Sequence, residues 1–371
     1  MRNPEDQRQN LAQAILNVRS QRATSRRTLA DVMRLSPTTA GFYVDQLIES
    51  GHLRESGLEQ GLMGRPKRTL GTVAEAGWFA GIEFNAERVQ GVRVDFSGKL
   101  SRTESQPLTE GASRAEVMTE IKNLIIALSR GGSGPLLSIG LGAPGVVDPL
   151  HGIGVEYAFM PDWQNVPVVD QLGKRFKKPV LLENNLRTIA LAERWFGGAQ
   201  EMADYVILGP RIGFGIAIVH QGRLMGGAHH AAGEIGHWPW PDRSNTKLHD
   251  CLSAPAIWRR LAGVTSRARI PTDLRAALAE HADTTSAAWA DVVQDFAQVM
   301  TRLQLLLDTQ TYFLHGPLTA LEEPFCRAIE AATIHSFSPM ASRQLMLIPS
   351  TLNDDAGALG AASLAMEAWR P

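Results

Sequence analysis

The chain has very few cysteines. Cys251 and Cys326 are the only two among 371 residues. Small secreted domains that depend on disulfides carry many closely spaced cysteines, so this sequence excludes a disulfide framework. The length of the chain predicts two or three domains rather than one compact core.

A long apolar run is also missing. No stretch reaches the roughly 18 residues that a membrane span requires. The first ten residues, MRNPEDQRQN, are polar and carry both signs of charge, without the apolar segment of a signal peptide. Together with the scarcity of cysteine, these absences predict a cytoplasmic protein with no membrane partner.

The charge of the chain is nearly balanced overall but unevenly distributed. The formal net charge is −1, yet residues 1–70 hold 11 Lys and Arg against 7 Asp and Glu, a net of +4. The remaining residues therefore carry a net of −5. A basic head on an acidic body is typical of a nucleic-acid-binding module attached to another domain. Chance unevenness over a short window gives the same numbers, so the residue pattern has to decide.

The first fifty residues predict three helices. Apolar residues at helical spacing mark residues 10–18 and 25–33, and a third helix is predicted from Pro37 to Gly51. Ser36 is a good N-cap, Pro37 suits the first helical position, and Gly51 can end the helix in a left-handed conformation. Two short helices, a tight turn and a third capped helix predict a helix-turn-helix.

The segment after Leu53 predicts a wing, because a strand, a glycine-rich turn and a second strand follow the third helix. A winged helix-turn-helix reads DNA with the start of its last helix and contacts phosphates or a minor groove with the wing. The predicted DNA-binding residues are Thr38, Thr39, Phe42, Tyr43, Arg65, Lys67 and Arg68. Alternatively the unit serves for dimerisation or protein docking, with Phe42 and Tyr43 in its core.

From residue 78 onward, predicted strands and helices alternate. Three strands, a helix, a buried strand with a glycine-rich turn and another strand–helix pair are followed by a second hairpin and two further strand–helix pairs. Two such tandem arrangements predict an α/β body of two lobes with a cleft between them. The predicted domains are residues 1–72 and 73–371, with lobes of roughly 73–185 plus the C-terminal helix, and 186–354.

Three motifs of the body carry a resemblance. GLGAPGVVD at 140–148, LLENN at 181–185 and AGEIGH at 232–237 are similar, in order and spacing, to the signatures of the ROK family of repressors, open reading frames and kinases. Gly64-Arg65-Pro66 is similar to the wing-to-linker motif of the family's repressors. The resemblance implies a winged helix-turn-helix followed by a two-lobed, actin-like ATPase fold with ribonuclease-H-like lobes.

The elements needed for sugar phosphorylation depart from those of the resembling kinases. Their catalytic Asp follows Glu-Asn, whereas this chain has Asn185, and an amide cannot accept a proton at neutral pH. Glu83-Phe84-Asn85-Ala86-Glu87 replaces the first glycine-rich phosphate turn, Pro210 and Arg211 interrupt the second, and His315-Gly316-Pro317 stands at the adenine-side turn. We therefore predict no catalytic residues, no enzyme activity and no cofactor.

The resemblance assigns an effector site to Gly142, Asn184, Asn185, Glu234 and His237, whose polar groups suit a sugar. Two family positions differ, because Phe159 replaces an Asn and Ser253 replaces a Glu. A sugar, another small molecule or no ligand at all therefore stay open. Of the zinc ligands common in the family, only His237 and Cys251 remain, and we predict no metal.

The sequence therefore predicts a transcription regulator that binds operator DNA and a small-molecule effector. The resemblance implies a homodimer or homotetramer, which suits a palindromic operator. One alternative is an active sugar kinase with an accessory DNA-binding head. The other is a docking scaffold whose helix-turn-helix never contacts DNA.

Overall fold

The computed structural model describes residues 4–59, 67–240, 245–336 and 344–371. The chain divides into two compact units: the first comprises residues 1–188 and 357–371, and the second residues 189–356. Within the described ranges, no helix combines the length and apolar character needed to cross a bilayer. Residues 1–72 fall in the same unit as the first large sheet, so a separate domain over these residues stays a prediction.

The first unit begins with three helices, α1 (Pro4–Arg19), α2 (Arg26–Met33) and α3 (Pro37–Glu49). The predicted caps are confirmed: Ser25 begins α2 with a capping box, and Ser36 accepts the Thr39 N–H at the start of α3. Gly51 follows α3 with a φ of 75°, a conformation that favours glycine. We call residues 4–72 the head.

Two antiparallel strands complete the head, β1 (Leu53–Glu59) and β2 (Lys67–Thr72). They pair from Leu53 opposite Thr72 to Glu59 opposite Lys67. This pairing confirms the two predicted strands of the wing. The turn that joins them, with Arg65, lies outside the described residues.

The first large sheet has the strand order β10-β6-β3-β4-β5. Its strands are β3 (Trp78–Phe84), β4 (Arg88–Asp95), β5 (Leu100–Pro107), β6 (Leu136–Ala143) and β10 (Val180–Asn184). Alternate residues of β3 serve its two faces. Trp78, Ala80, Ile82 and Phe84 pack with helix α4 (Arg114–Leu128), whereas Gly81 faces the C-terminal helix α12 (Ala356–Ala368). A Cβ on Gly81 would lie 2.0 Å from the Ala358 carbonyl oxygen, so this position requires glycine.

A small sheet and a short helix complete the first unit. Strands β7 (Val146–Asp148), β8 (Ile153–Glu156) and β9 (Gln164–Val166) pair antiparallel, and α5 (Val168–Phe176) leads into β10. The sequence analysis did not predict these four elements, because three- and four-residue strands give too few positions to show an alternating pattern. The buried side chains of Trp163, Val166 and Leu172 join the core of the first sheet.

The second unit contains a five-stranded sheet of order β13-β12-β11-β14-β15. Its strands are β11 (Tyr205–Pro210), β12 (Phe214–His220), β13 (Arg223–Leu224), β14 (Thr311–Leu314) and β15 (Met346–Pro349). The helices are α7 (Leu248–Leu252), α8 (Ala254–Leu261), α9 (Leu274–Glu280), α10 (Ala287–Leu307) and α11 (Glu322–His335), and α6 (Asn185–Phe196) spans the division between the units. Phe296 on α10 and Phe325 on α11 lie at the centre of this unit's core.

Candidate DNA-binding and effector sites

The start of α3 presents the surface expected of a recognition helix. Thr38 is exposed, Thr39 is half-buried, and the ring of Phe42 is 48% exposed. The Thr39 hydroxyl oxygen accepts a hydrogen bond from Ser36 at 2.9 Å, so it is partly occupied by capping. Thr38 and Phe42 are therefore the most exposed of the predicted DNA-binding residues on α3.

Tyr43 corrects the sequence-based prediction. Its side chain is only 1% exposed, and it shares the buried face of α3 with Ala40, Val44 and Leu47. A buried ring at this position fixes α3 within the head and cannot reach a base edge. The apolar spacing of these four residues, i, i+3, i+4 and i+7, was the signal that could have identified it.

The basic residues of the wing differ in their surroundings. Arg68 is exposed but pairs with Glu55 at 3.1 Å, and the same carboxylate accepts a hydrogen bond from Arg26 at 2.7 Å. The hydrogen bond from Arg26 holds the pKa of Glu55 below its ordinary value. Arg26 also pairs with Asp45 on α3. Lys67 lies in the paired part of β2, and Arg65 is outside the described residues.

The head is fixed to the first large sheet by a cluster that the sequence analysis missed. Arg19, the last residue of α1, donates from Nε to the carbonyl of Phe96 at 2.9 Å. Its guanidinium lies 4.7 Å from the Phe96 ring centroid and 5.3 Å from that of Phe79. The ring of His52 lies 5.2 Å from both Phe96 and Trp369. We call these five residues the junction cluster.

Burial changes the chemistry of two charged groups in the junction cluster. Desolvation lowers the pKa of Arg19 to about 9, with a smaller opposing effect from Asp95. Desolvation also lowers the pKa of His52, and the positive charge of Arg19 adds to this effect. His52 is therefore held towards its neutral form, in which its ring packs between two aromatic side chains.

The predicted effector residues of the first unit lie at the carboxyl ends of β6 and β10. Asn184 ends β10, and its side chain donates to the Gly145 carbonyl at 2.9 Å and accepts the Leu186 N–H at 2.9 Å. Asn184 therefore acts as the N-cap of α6. A Cβ at Gly142 would lie 2.7 Å from the Thr188 hydroxyl, so close packing against α6 accounts for this glycine. A ligand contact by either residue stays a prediction.

Asn185, which the family resemblance aligns with the base of the kinases, contacts a carboxylate. Its Nδ2 donates to Oε1 of Glu83 at 3.3 Å. Glu83 is 4% exposed, and its other oxygen lies only 2.1 Å from where a Cβ on Gly357 would be, in the first turn of α12. The amide of Asn185 thus donates to a buried carboxylate.

Glu234 and His237 lie in the second unit, next to β12. Both are exposed, on either side of the buried pair Ile235 and Gly236. A Cβ at Gly236 would approach the Phe214 carbonyl oxygen to 2.4 Å, which explains the glycine in this motif by close packing on β12. Nδ1 of His237 lies 3.3 Å from the Lys247 ammonium group.

The residues of the candidate zinc site lie in the second unit. The rings of His237 and His249 lie 5.6 Å apart, edge to face, and Cys251 is buried. Within residues 4–59, 67–240, 245–336 and 344–371, no group of three or more His, Cys, Asp or Glu side chains is placed to hold a metal ion. A lack of metal in the protein itself stays a prediction.

The turn that the resemblance assigns to the adenine side lies in the second unit and is packed by side chains. His315 follows β14 and is 4% exposed, and neither ring nitrogen has a hydrogen-bond partner among the described residues. Desolvation, assisted by the positive charges of Arg211 and Arg275, lowers the pKa of His315 to about 3. A Cβ on Gly316 would lie 3.0 Å from Cγ of Arg211, so this arginine packs directly on the turn.

Comparison with known families gives one match that covers most of the chain: residues 79–368 match the ROK family. Among curated proteins, the chain is 28% identical over 216 residues to the xylose repressor of Caldicellulosiruptor bescii. The aligned region covers 57% of this chain and 54% of that protein. It is 28% identical over 266 residues to the Escherichia coli dual regulator NagC, covering 67% and 64%. The chain thus spans about half to two thirds of these regulators.

A kinase and two solved structures are also similar. The glucokinase of Thermotoga maritima is 27% identical over 297 residues, covering 74% of this chain and 92% of that protein. A crystal structure of a ROK transcriptional regulator homologous to the E. coli MLC protein has a TM-score of 0.80 at 20% identity and covers 97% and 96% of the two chains. A Streptomyces griseus ROK glucokinase has a TM-score of 0.64 at 20% identity over 78% and 99%. These likenesses confirm the predicted fold class, including the head.

Proposed function

Because this chain belongs to the ROK family, we propose that it is a DNA-binding transcriptional regulator of the repressor type. The observation that carries the proposal is the capped helix α3, whose start exposes Thr38 and the ring of Phe42 on a head fixed to a ROK fold. The names of the similar regulators, xylose repressor and NagC, support the same conclusion.

The kinase-like units recognise a small molecule and do not phosphorylate it. The hydrogen bond from Asn185 to Glu83 supports this, because the amide cannot remove a proton from a sugar hydroxyl. The nucleotide side supports it as well. Pro210 has no N–H for a phosphate, and the buried ring of His315 and the stem of Arg211 line the turn at Gly316. In the proposed function, the described residues at these positions therefore supply neither a general base nor a phosphate cradle.

The effector is proposed to be a sugar or a sugar derivative. Two similar regulators are named for xylose and N-acetylglucosamine, and these sugars and their phosphates are the first ligands to test. Asn184 and Gly142 are engaged in packing α6. Within the first unit the proposed ligand contact is therefore left to Asn185, and within the second unit the proposed contacts, Glu234 and His237, are exposed. The altered residue Phe159, 55% exposed, adds an apolar surface next to the small sheet.

The regulator is proposed to act as a homodimer or homotetramer, since two recognition helices related by a two-fold axis match a palindromic operator. The test combines two measurements on the full chain. Genomic fragments retained by the protein are sequenced, and the binding of the enriched fragment is then measured by fluorescence anisotropy with and without each sugar. We expect one or a few palindromic fragments and a change of at least tenfold in affinity with the effector. Failure to bind any duplex at about 50 mM salt would contradict the proposal.

The glucokinase relative supports a second candidate, an active sugar kinase with a DNA-binding head, because the match covers 92% of that enzyme. ADP release with glucose, xylose and N-acetylglucosamine separates the two. Turnover above the rate without sugar would establish the kinase, whereas background release supports a regulator that only binds.

A further inference from the structure

The end of α5 carries a dense group of positive charges. Lys174 and Arg175 close the helix, and Lys177 and Lys178 follow directly, so four of five consecutive residues are cationic. Lys174, Arg175 and Lys177 are exposed, and Lys178 is half-buried. Asp170 pairs with Lys174 at 2.7 Å, an exposed bond of small energetic weight. We call these four residues the α5 basic cluster.

Stabilisation of the helix dipole of α5 does not by itself account for the α5 basic cluster. One or two cations in the last turn suffice to interact with the helix dipole. Lys177 instead lies beyond the helix in the left-handed region at φ 54°, and Lys178 follows it towards the sheet. Four cations at one turn repel each other unless an anion lies near them, so an external polyanion is the partner that this chemistry favours.

The α5 basic cluster and the head lie at the same end of the first sheet. Strands β10, β6 and β3 are parallel, and Val180 is in register with Ile139 and, through it, with Ala80. The cluster directly precedes β10, and the head precedes β3, to which a five-residue segment with a short 3-10 turn (Ala74–Ala76) connects it. Only β6 lies between these two strands, so their starts are about two strand spacings, or about 10 Å, apart.

The turn that binds the head also lies at this end. Asp95 pairs with Trp78 at the start of β3, and the next residue, Phe96, accepts the hydrogen bond from Arg19. The junction cluster thus fixes the head at the edge of the sheet where the basic cluster lies, within one compact unit. The head that is proposed to hold DNA and the α5 basic cluster are thus attached at the same end of one sheet.

Two arginines of the head are already engaged by carboxylates. Arg26 is shared between Glu55 and Asp45, and Arg68 also pairs with Glu55. Phosphate contacts outside the helix-turn-helix would add affinity without adding sequence preference.

We propose that Lys174, Arg175, Lys177 and Lys178 form a second DNA-contacting surface, which binds the phosphate backbone flanking the site held by the head. The proposal rests on the proposed function, since it requires that the head binds DNA. It assigns the sensor body a direct, sequence-independent part in DNA binding.

The test measures the salt dependence of binding to a mixed-sequence DNA duplex by the full chain. The variant replaces all four cations by Gln (K174Q, R175Q, K177Q and K178Q). Each lost phosphate contact lowers the slope of log K against log salt by about 0.9. We expect the slope to fall by about two or more, and the affinity at the lowest salt to fall at least tenfold. Because the four side chains are exposed or half-buried, the variant is expected to keep the thermal unfolding midpoint of the wild type. An unchanged midpoint would show that the fold is intact.

Two controls separate the outcomes. A second variant, Arg267→Gln with Arg269→Gln, removes exposed cations from the second unit and is expected to change the slope by less than one. Thr38→Ala with Phe42→Ala weakens the head alone.

If the head variant loses binding and the α5 variant keeps the wild-type slope, the second surface is refuted while the proposed function stands. If the α5 variant instead loses retention on anionic lipid vesicles and keeps its DNA slope, the cluster serves a membrane and our proposal is wrong. If the wild type binds no DNA, the proposed function itself fails.

Discussion

Arg19 and Phe96 connect the head to the body through one hydrogen bond and one stacked contact. The Nε atom donates to the Phe96 carbonyl at 2.9 Å, while the guanidinium lies over the ring of the same residue at 4.7 Å. The two residues are 77 positions apart, and both are buried. The Nη1 and Nη2 atoms have no hydrogen-bond partner among the described residues. The head is therefore anchored by a charge whose burial is offset mainly by aromatic rings.

Replacing Arg19 by Ala is expected to loosen the head. The change removes the stacked stem and leaves the Phe96 carbonyl without its donor, which costs about 1–3 kcal/mol. Arg19→Met keeps most of the apolar stem and removes the desolvated charge, so it should cost less. Calorimetric unfolding and hydrogen exchange in α1 and at residues 96–99 measure the effect. Equal losses in both variants would mean that packing of the stem contributes nothing to the junction.

His315 is expected to make the second unit sensitive to acid. Its pKa in the folded protein is about 3, mainly because of burial, whereas an unfolded chain takes up a proton near pH 6.5. The unfolded state therefore binds more protons between these values, so stability is full above pH 6.5 and falls as the pH drops towards 3. The loss from this group is about 1.4 kcal/mol per pH unit within that window.

The measurement for His315 is the thermal midpoint between pH 7.5 and 5. His315→Leu is expected to flatten this profile, because the group that titrates on unfolding is gone. His229→Gln, at an exposed position, serves as the matched control and should keep the wild-type slope. An unchanged slope in the His315 variant would show that other groups account for the acid sensitivity.

Restoring an acid at Asn185 is expected not to restore a kinase. Asn185→Asp would place a second carboxylate about 3.3 Å from Oε1 of Glu83, and two such groups repel unless one takes up a proton. We expect a lower thermal midpoint than in Asn185→Ala, and a larger difference at pH 8 than at pH 5. ADP release should stay at background, since Pro210 still offers no N–H to a phosphate and Arg211 still packs on the turn at Gly316. Hexose-dependent turnover in the Asp variant would contradict this expectation. It would show that Asn in place of Asp at position 185 is by itself what prevents catalysis in this chain.

Much of the fold could be predicted because local signals agree with tertiary structure. Ser36 and Pro37 mark the start of α3 through chemistry that acts within one turn, and the apolar strands β3, β6 and β11 are buried on both faces. The small sheet of β7, β8 and β9 was not predicted, since its strands form through pairing with one another rather than through a pattern of their own.

The candidate sites were predicted less completely, because a residue type does not fix its contacts. An asparagine at position 184 can bind a sugar hydroxyl, and it can equally well be the N-cap of α6. Its place just before a predicted helix was the signal for the capping role. Arg19 gave no signal at all, since its guanidinium packs on Phe79 and Phe96, which lie far along the chain. Motif matching identified the region of Asn185, but its contact with Glu83 required the register of the sheet.

Phe42 and Tyr43 are adjacent in the sequence, yet they should respond to mutation in opposite ways. Phe42 is 48% exposed, so Phe42→Ala should leave the thermal midpoint nearly unchanged and lower the affinity for the enriched genomic fragment at least tenfold, as expected for a lost contact in the groove. Tyr43→Ala should instead remove a buried aromatic ring and cost about 3–5 kcal/mol, as such truncations do in other cores. Tyr43→Phe retains the ring and tests the hydroxyl alone. Anisotropy titrations and calorimetry on the same preparations make the comparison. A Phe42 variant that binds like the wild type would remove this residue from the DNA interface.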